Sequence, residues 1–142
     1  SENFVTAAYV YVDLEENVMR YGGAGHPPLM QYRRSTDKAV RILENGMVLG
    51  ILEDSDYSAI EIPLEPGDRQ LLFTDGIVEA ANPAQEMYGD ERLMQFLESN
   101  KALNAGNFAD ALLLEVAGWT GQSGEQNQQD DLTIVVFDFK RS

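Results

Sequence analysis

The 142-residue chain contains no cysteine, which excludes a disulfide framework, a thiolate nucleophile and a zinc–thiolate site. It has a single histidine, His26, so no second imidazole is available to build a ligand set around it. Cations are scarce. Ten Lys plus Arg stand against 24 Asp plus Glu, a formal net charge of −14, and the basic residues form no patch. Such a field repels a phosphate backbone and speaks against nucleic-acid binding. No apolar run approaches the roughly 20 residues that a membrane-spanning helix needs. Nor is there an N-terminal stretch with a basic start, an apolar middle and a small-residue cleavage site. No membrane contact is expected, and the absence of cysteine is compatible with a reducing, cytoplasmic setting. No Gly-x-Ser-x-Gly nucleophile elbow and no Gly-x-x-x-x-Gly-Lys phosphate loop occurs.

An apolar content of 44% over 142 residues suffices for the packed core of one ordinary domain. Phe4 to Val12 is a β-branched and aromatic run that reads as a strand, and Val18 to Tyr21 reads as its returning partner after a turn at Glu15-Glu16-Asn17. Leu29 to Arg33 and Ala39 to Leu43 flank the polar Ser35-Thr36-Asp37-Lys38 and predict a second hairpin. Tyr57 to Leu64 alternates with period two, Pro66-Gly67 predicts a tight turn, and Arg69 to Thr74 follows as an apolar strand ending at Asp75-Gly76. The period then becomes helical. One helix is expected around Leu93, Phe96 and Leu97, and a second carries Phe108, Leu112, Val116 and Trp119, with Asn107 as its N-cap. After the polar loop 121–129, Asp130-Asp131 leads into the β-prone run Leu132 to Phe137. The strands are joined too tightly for parallel crossovers, so the pattern predicts an α+β fold built on antiparallel sheet.

Three places carry candidate chemistry. Asp75 stands where an apolar strand stops and glycine permits a sharp turn, a position from which a carboxylate can project as a metal ligand; Asp-Gly is also an ordinary turn dipeptide. Asp130 and Asp131 mirror it ahead of a strand, although alternation across the pleat sends the two side chains to different faces. If Asp75 and Asp130 end neighbouring strands, their oxygens converge on a hard divalent cation; loop solvation is the plain alternative. His26, in Gly25-His26-Pro27-Pro28, reads first as a fixed loop residue bonded to backbone and second as a general acid.

Taken together, Phe4-Val5-Thr6-Ala7, Gly23-Ala24-Gly25-His26-Pro27-Pro28, Pro66-Gly67-Asp68, Phe73-Thr74-Asp75-Gly76-Ile77-Val78-Glu79-Ala80, Tyr88-Gly89-Asp90-Glu91-Arg92-Leu93 and Asp130-Asp131-Leu132-Thr133 resemble the ordered motifs of the SpoIIE/RsbU-like phosphatases. These are a bacterial branch of the PPM-type metal-dependent serine/threonine phosphatases. The resemblance implies an antiparallel β-sandwich flanked by helices, with two Mn2+ or Mg2+ ions held at one end. It implies Asp75 and Asp130 as metal ligands, with Gly76, Asp131 and His26 supporting the site. The reaction implied is attack on a phosphoserine or phosphothreonine by a metal-activated water, with no phosphorylated residue. The expected substrate is a phosphorylated bacterial regulator of the anti-sigma-factor-antagonist kind. An aspartyl-nucleophile mechanism at Asp75 is disfavoured, because it asks for a second aspartate where Ile77 stands.

The family's first metal motif, a Gly-Asp-x-x-Gly-His-Gly-like segment, has no counterpart ahead of Phe4. Residues 1–142 are therefore expected to be the C-terminal part of a single phosphatase domain, binding the ions weakly or not at all and inactive alone, and pairing as a homodimer to cover exposed edges. The alternative is a non-catalytic, phosphatase-like signalling module.

Overall fold

The structure, a computed structural model, describes residues 9–23, 29–42, 58–121 and 132–140. In chain order these form β1 (Tyr9–Asp13), β2 (Val18–Gly23), β3 (Leu29–Arg33), β4 (Lys38–Ile42), β5 (Ser58–Pro63), β6 (Arg69–Phe73), α1 (Asp75–Val78), α2 (Gly89–Ser99), α3 (Ala105–Thr120) and β7 (Ile134–Asp138). The strand expected from Phe4 is seen from Tyr9 onward, and Phe4 to Ala8 lie outside the described residues.

The turns follow from their chemistry. Asn17 and Asp37 each close a hairpin loop at φ 54°, a left-handed conformation that short polar side chains tolerate. In the first loop Asp13 Oδ1 accepts from the backbone N–H of Glu15 and of Glu16, both at 3.0 Å. The β5–β6 turn has Pro66 at its second position and Gly67 at its third with φ 97°, closed by Asp68 N donating to Glu65 O at 3.0 Å. A Cβ on Gly67 would stand 2.3 Å from Arg34 Cδ. Asp68 is buried, accepting from Arg34 N at 2.9 Å and from Glu65 N at 3.0 Å. Its carboxylate joins two hairpin ends, so this part of the Pro66-Gly67-Asp68 motif is structural.

Among the described residues all strand pairs are antiparallel, in a three-stranded sheet ordered β1-β2-β5 and a four-stranded sheet ordered β4-β3-β6-β7. One core layer joins the sheets, with Met19, Tyr21 and Ile62 meeting Leu29, Leu72 and Phe139. A second lies between the four-stranded sheet and the helices, where Met30, Leu71 and Phe73 meet Ile77, Leu93, Leu97, Phe108, Leu112 and Val116. The period of two explains the division: Leu72 faces one layer while Leu71 and Phe73 face the other. Each such fully buried side chain contributes roughly 1.5–3 kcal/mol. The expected α+β class and antiparallel sandwich flanked by helices are thus the observed architecture.

Because β6 is covered on both faces, its polar members are buried as well. Arg69 forms a fork with Asp138, Nε to Oδ1 at 2.6 Å and Nη2 to Oδ2 at 3.0 Å. It also donates to the carbonyls of Asn100 and Leu103 and lies 4.9 Å from the Phe108 ring centroid. One guanidinium thereby ties β6, β7 and the α2–α3 connection together. The N-cap of α3 is Asn104, three residues before the expected Asn107. Its side-chain oxygen accepts from Asn107 N at 2.7 Å, so Asn107 is the residue capped and lies inside the first turn.

Candidate metal centre

The apolar run of β6 ends at Phe73, and the next residue decides how the chain leaves the sheet. Thr74 is extended, at φ −85° and ψ 155°, in the N-cap position of α1, but its hydroxyl makes no capping bond. Thr74 N donates to Thr133 O at 3.1 Å, and Thr74 Oγ1 accepts from Thr133 N at 3.1 Å. The β6–β7 ladder, whose last register pair is Phe73 with Ile134, is extended by one more pair. Asp75 follows, exposed, as the first residue of α1, and Gly76 is the second. The expected tight turn at Asp75-Gly76 is instead a four-residue helical turn. The reason lies in Ile77, which is fully buried in the layer under the sheet and pulls the chain into one turn. Ile77 N donates to Thr74 O at 3.0 Å and Glu79 N to Asp75 O at 2.9 Å.

Downstream the chain forms a small hairpin pinned at its base. Ala81 bridges to Met87, and Asn82 N donates to Glu86 O at 2.9 Å. The Asn82 side chain accepts from Glu86 N at 2.9 Å, and Tyr88 N donates to Ala80 O at 2.8 Å. Burial pushes the Tyr88 phenol up to about 12, with the Glu115 carboxylate adding to the rise and Arg92 opposing it. Tyr88 is therefore a neutral, protonated wall of this region at physiological pH.

Strand register shows which segments share this end of the sheet. Leu29, the first residue of β3, pairs with Leu72, and Ile134, the first of β7, pairs with Phe73. The entry to β3, the exit of β6 and the entry to β7 therefore lie side by side, and Asp75 departs from the middle strand of the three. His26 stands three positions before Leu29, and Asp130 and Asp131 stand four and three before Ile134. All three lie outside the described residues. Among the described residues no three His, Cys, Asp or Glu side chains gather as a metal site. The exposed Asp75 carboxylate, on a turn hydrogen-bonded on both flanks, fits a hard oxygen-seeking ion such as Mg2+ or Mn2+.

The role of Thr74 escaped the sequence analysis, which placed it at the end of a strand and within the Phe73 to Ala80 motif but gave its hydroxyl no task. Its partner lies 59 positions away, and the one available signal was a β-branched hydroxyl residue beside the candidate carboxylate.

The family model described as "Stage II sporulation protein E (SpoIIE)" matches residues 1–140. The chain belongs to the SpoIIE family. Among curated proteins it is 34% identical over 76 residues to the phosphoserine phosphatase RsbU of Bacillus subtilis, covering 54% of this chain and 23% of RsbU. The solved phosphatase domain of SpoIIE from Bacillus subtilis superposes with a TM-score of 0.74 at 22% identity, over 97% of this chain and 57% of that one. The SiaA-PP2C domain of Pseudomonas aeruginosa matches with a TM-score of 0.73 at 26% identity, over 95% of this chain and 52% of that one. The SpoIIE match establishes a shared fold, and the family membership places the chain among PP2C-type phosphatase domains. It spans under a third of the length of the curated relatives it matches.

Proposed function

We propose that this chain is the C-terminal part of a SpoIIE-type phosphatase domain that hydrolyses phosphoserine or phosphothreonine on a signalling protein. The observation that carries the reading is the convergence at one sheet end of Asp75 with the strand entries that follow His26 and Asp130-Asp131. In this proposal Asp75 and Asp130 hold Mn2+ or Mg2+ through carboxylate oxygens, with Gly76, Asp131 and His26 in support. The remaining ligands come from a segment outside this chain, and the chain alone binds the ions weakly and is inactive. The ions, when bound, supply charge neutralisation for the transferring phosphoryl group and an acidified water.

The chain's own contribution is rigidity. Thr74 fixes the backbone ahead of Asp75, and Ile77 fixes it behind. Asp130 stands three positions before Thr133, whose backbone is hydrogen-bonded to Thr74, and three residues of chain reach at most roughly 11 Å. The two carboxylates are thereby tethered to one pair of residues. RsbU, a phosphoserine phosphatase by name, supports a phosphoprotein substrate, here a cytoplasmic regulator of sigma-factor signalling. No helix among the described residues is long and apolar enough to cross a membrane. The homodimer is part of the same reading, with Leu114 (74% exposed) and Val135 (51% exposed) as apolar surface available to it, and light scattering on the chain checks it.

The deciding experiment is hydrolysis of a phosphoserine peptide by the full-length protein carrying this chain, titrated with Mn2+. Wild type is expected to turn over with Mn2+, and Asp75→Asn and Asp130→Asn to fall to background while remaining folded. Mn2+-dependent turnover by Asp75→Asn at the wild-type rate would overturn the assignment. A folded full-length wild type without turnover would favour the non-catalytic module.

A further inference from the structure

Two side chains far from Asp75 in sequence meet the hairpin that follows it. Trp119, near the end of α3, sends its single indole N–H to both strands of that hairpin, 3.0 Å from Ala80 O and 3.1 Å from Glu86 O. A three-centre bond of this kind holds two carbonyls at a fixed separation. Arg92, on α2, stacks on the same indole with its guanidinium carbon 4.1 Å from the ring centroid. From there its Nη1 donates to Tyr88 O at 2.9 Å and to Met87 O at 3.1 Å. Tyr88 meets Trp119 edge-on, with centroids 6.0 Å apart and planes at 76°.

These contacts form one assembly. The indole is held between a cation on its face and a phenol at its edge, arrangements that each add to the area it buries. The indole N–H and Arg92 Nη1 are both spent on backbone carbonyls, of residues 80 and 86–88. Those carbonyls belong to the hairpin whose first strand leaves α1 directly: Ala80 is two residues past Val78, and Ala80 O also receives Tyr88 N at 2.8 Å. The single turn carrying Asp75 is thus anchored at two ends, by Thr133 ahead of it and by this assembly behind it. A four-residue helix has too few internal hydrogen bonds to hold its own orientation, so the turn depends on these anchors.

We infer that Trp119 and Arg92 are positioning residues for Asp75, acting through the 80–88 hairpin to hold its carboxylate ready for a divalent ion. The inference rests on the metal-site reading of Asp75 proposed above. Neither residue touches the ion or the substrate.

The test uses Mn2+ alone, added to the 142-residue chain, with paramagnetic broadening of backbone amide signals as the readout. This readout suits weak binding and requires no turnover. In wild type, broadening is expected to be strongest at Asp75, Gly76 and Ile77. Trp119→Phe keeps a ring for Arg92 and Tyr88 but deletes the N–H. It is expected to keep a dispersed spectrum and to raise the Mn2+ concentration for half-maximal broadening at Asp75 by roughly two- to tenfold, the worth of one hydrogen bond. Arg92→Lys, at an exposed helix position, retains charge but loses the planar fork, and is expected to act in the same direction.

Melting temperatures are recorded alongside. A merely structural role would lower them and leave the Mn2+ midpoint unchanged in the folded variants, which would overturn the inference. If Trp119→Phe fails to fold, the Arg92→Lys midpoint decides by the same criterion. Absence of broadening around Asp75 in wild type, both in the chain and in the full-length protein carrying it, would instead overturn the underlying metal-site reading, so the two failures are distinguishable.

Discussion

Thr74 and Thr133 hold each other by two hydrogen bonds, N–H to carbonyl in one direction and N–H to hydroxyl in the other, both 3.1 Å. The hydroxyl that would cap α1 is used to bind β7 instead. The exit of β6, which carries Asp75, is thereby coupled to the entry of β7.

Thr74→Val is isosteric and removes the acceptor, so Thr133 N loses its partner. A stability loss of about 1 kcal/mol is expected, with faster hydrogen exchange at the Thr133 amide. Thr74→Ser retains the hydroxyl and is expected to keep that amide protected. Equal protection of Thr133 in the Val and Ser variants would show that the hydroxyl does not hold β7.

Much of this architecture was legible in the sequence because the signals were local. Asn17, Asp37 and Pro66-Gly67 mark turns through their own backbone preferences, and the alternation of Tyr57 to Leu64 reappears in the buried Ile62 and Leu64 beside the exposed Glu61 and Pro63. What was not legible depends on partners distant in sequence. Arg69 and Gln70 open a strand read simply as apolar; both are buried because β6 is covered on both faces. Asn104 and Asn107 are both plausible caps by type, and the choice falls to the one that is extended. The Asp75-Gly76 turn became helical because Ile77 has a core to enter. Of the candidate site, Asp75 and Gly76 are described, while His26, Asp130 and Asp131 lie outside the described residues.

Arg69 and Asp138 are both largely buried, with side chains 5% and 17% exposed. Removing one partner strands the other charge away from water. Asp138→Asn is expected to destabilise the chain by roughly 3–5 kcal/mol, measured as a lowered urea midpoint. The double substitution Arg69→Met, Asp138→Leu removes both charges and is expected to recover part of that loss. Recovery stays incomplete, because the Asn100 and Leu103 carbonyls also lose their donor. Full recovery would mean that those carbonyls find other partners.

Alkaline pH probes the hairpin base. The folded Tyr88 phenol ionises near 12 because burial penalises the phenolate, whereas in the unfolded chain it ionises near 10. Below about pH 10 both states hold the proton, and stability does not depend on this group. Between those values the unfolded state releases its proton first, so stability falls as pH rises, by on the order of 2 kcal/mol across the window. Tyr32, also raised by burial and by its hydrogen bond to Asp37, adds a slope of the same sign in any variant that retains it. Tyr88→Phe deletes the Tyr88 part alone and costs little else, since the phenol's bond to Arg92 O is long at 3.4 Å. Urea titrations of both proteins at pH 9 and pH 11.5 are therefore expected to show a steeper decline in wild type than in Tyr88→Phe. Identical declines would place the ionisation of Tyr88 near that of an exposed phenol, and would show that the Trp119–Arg92 assembly leaves the hairpin base open to water.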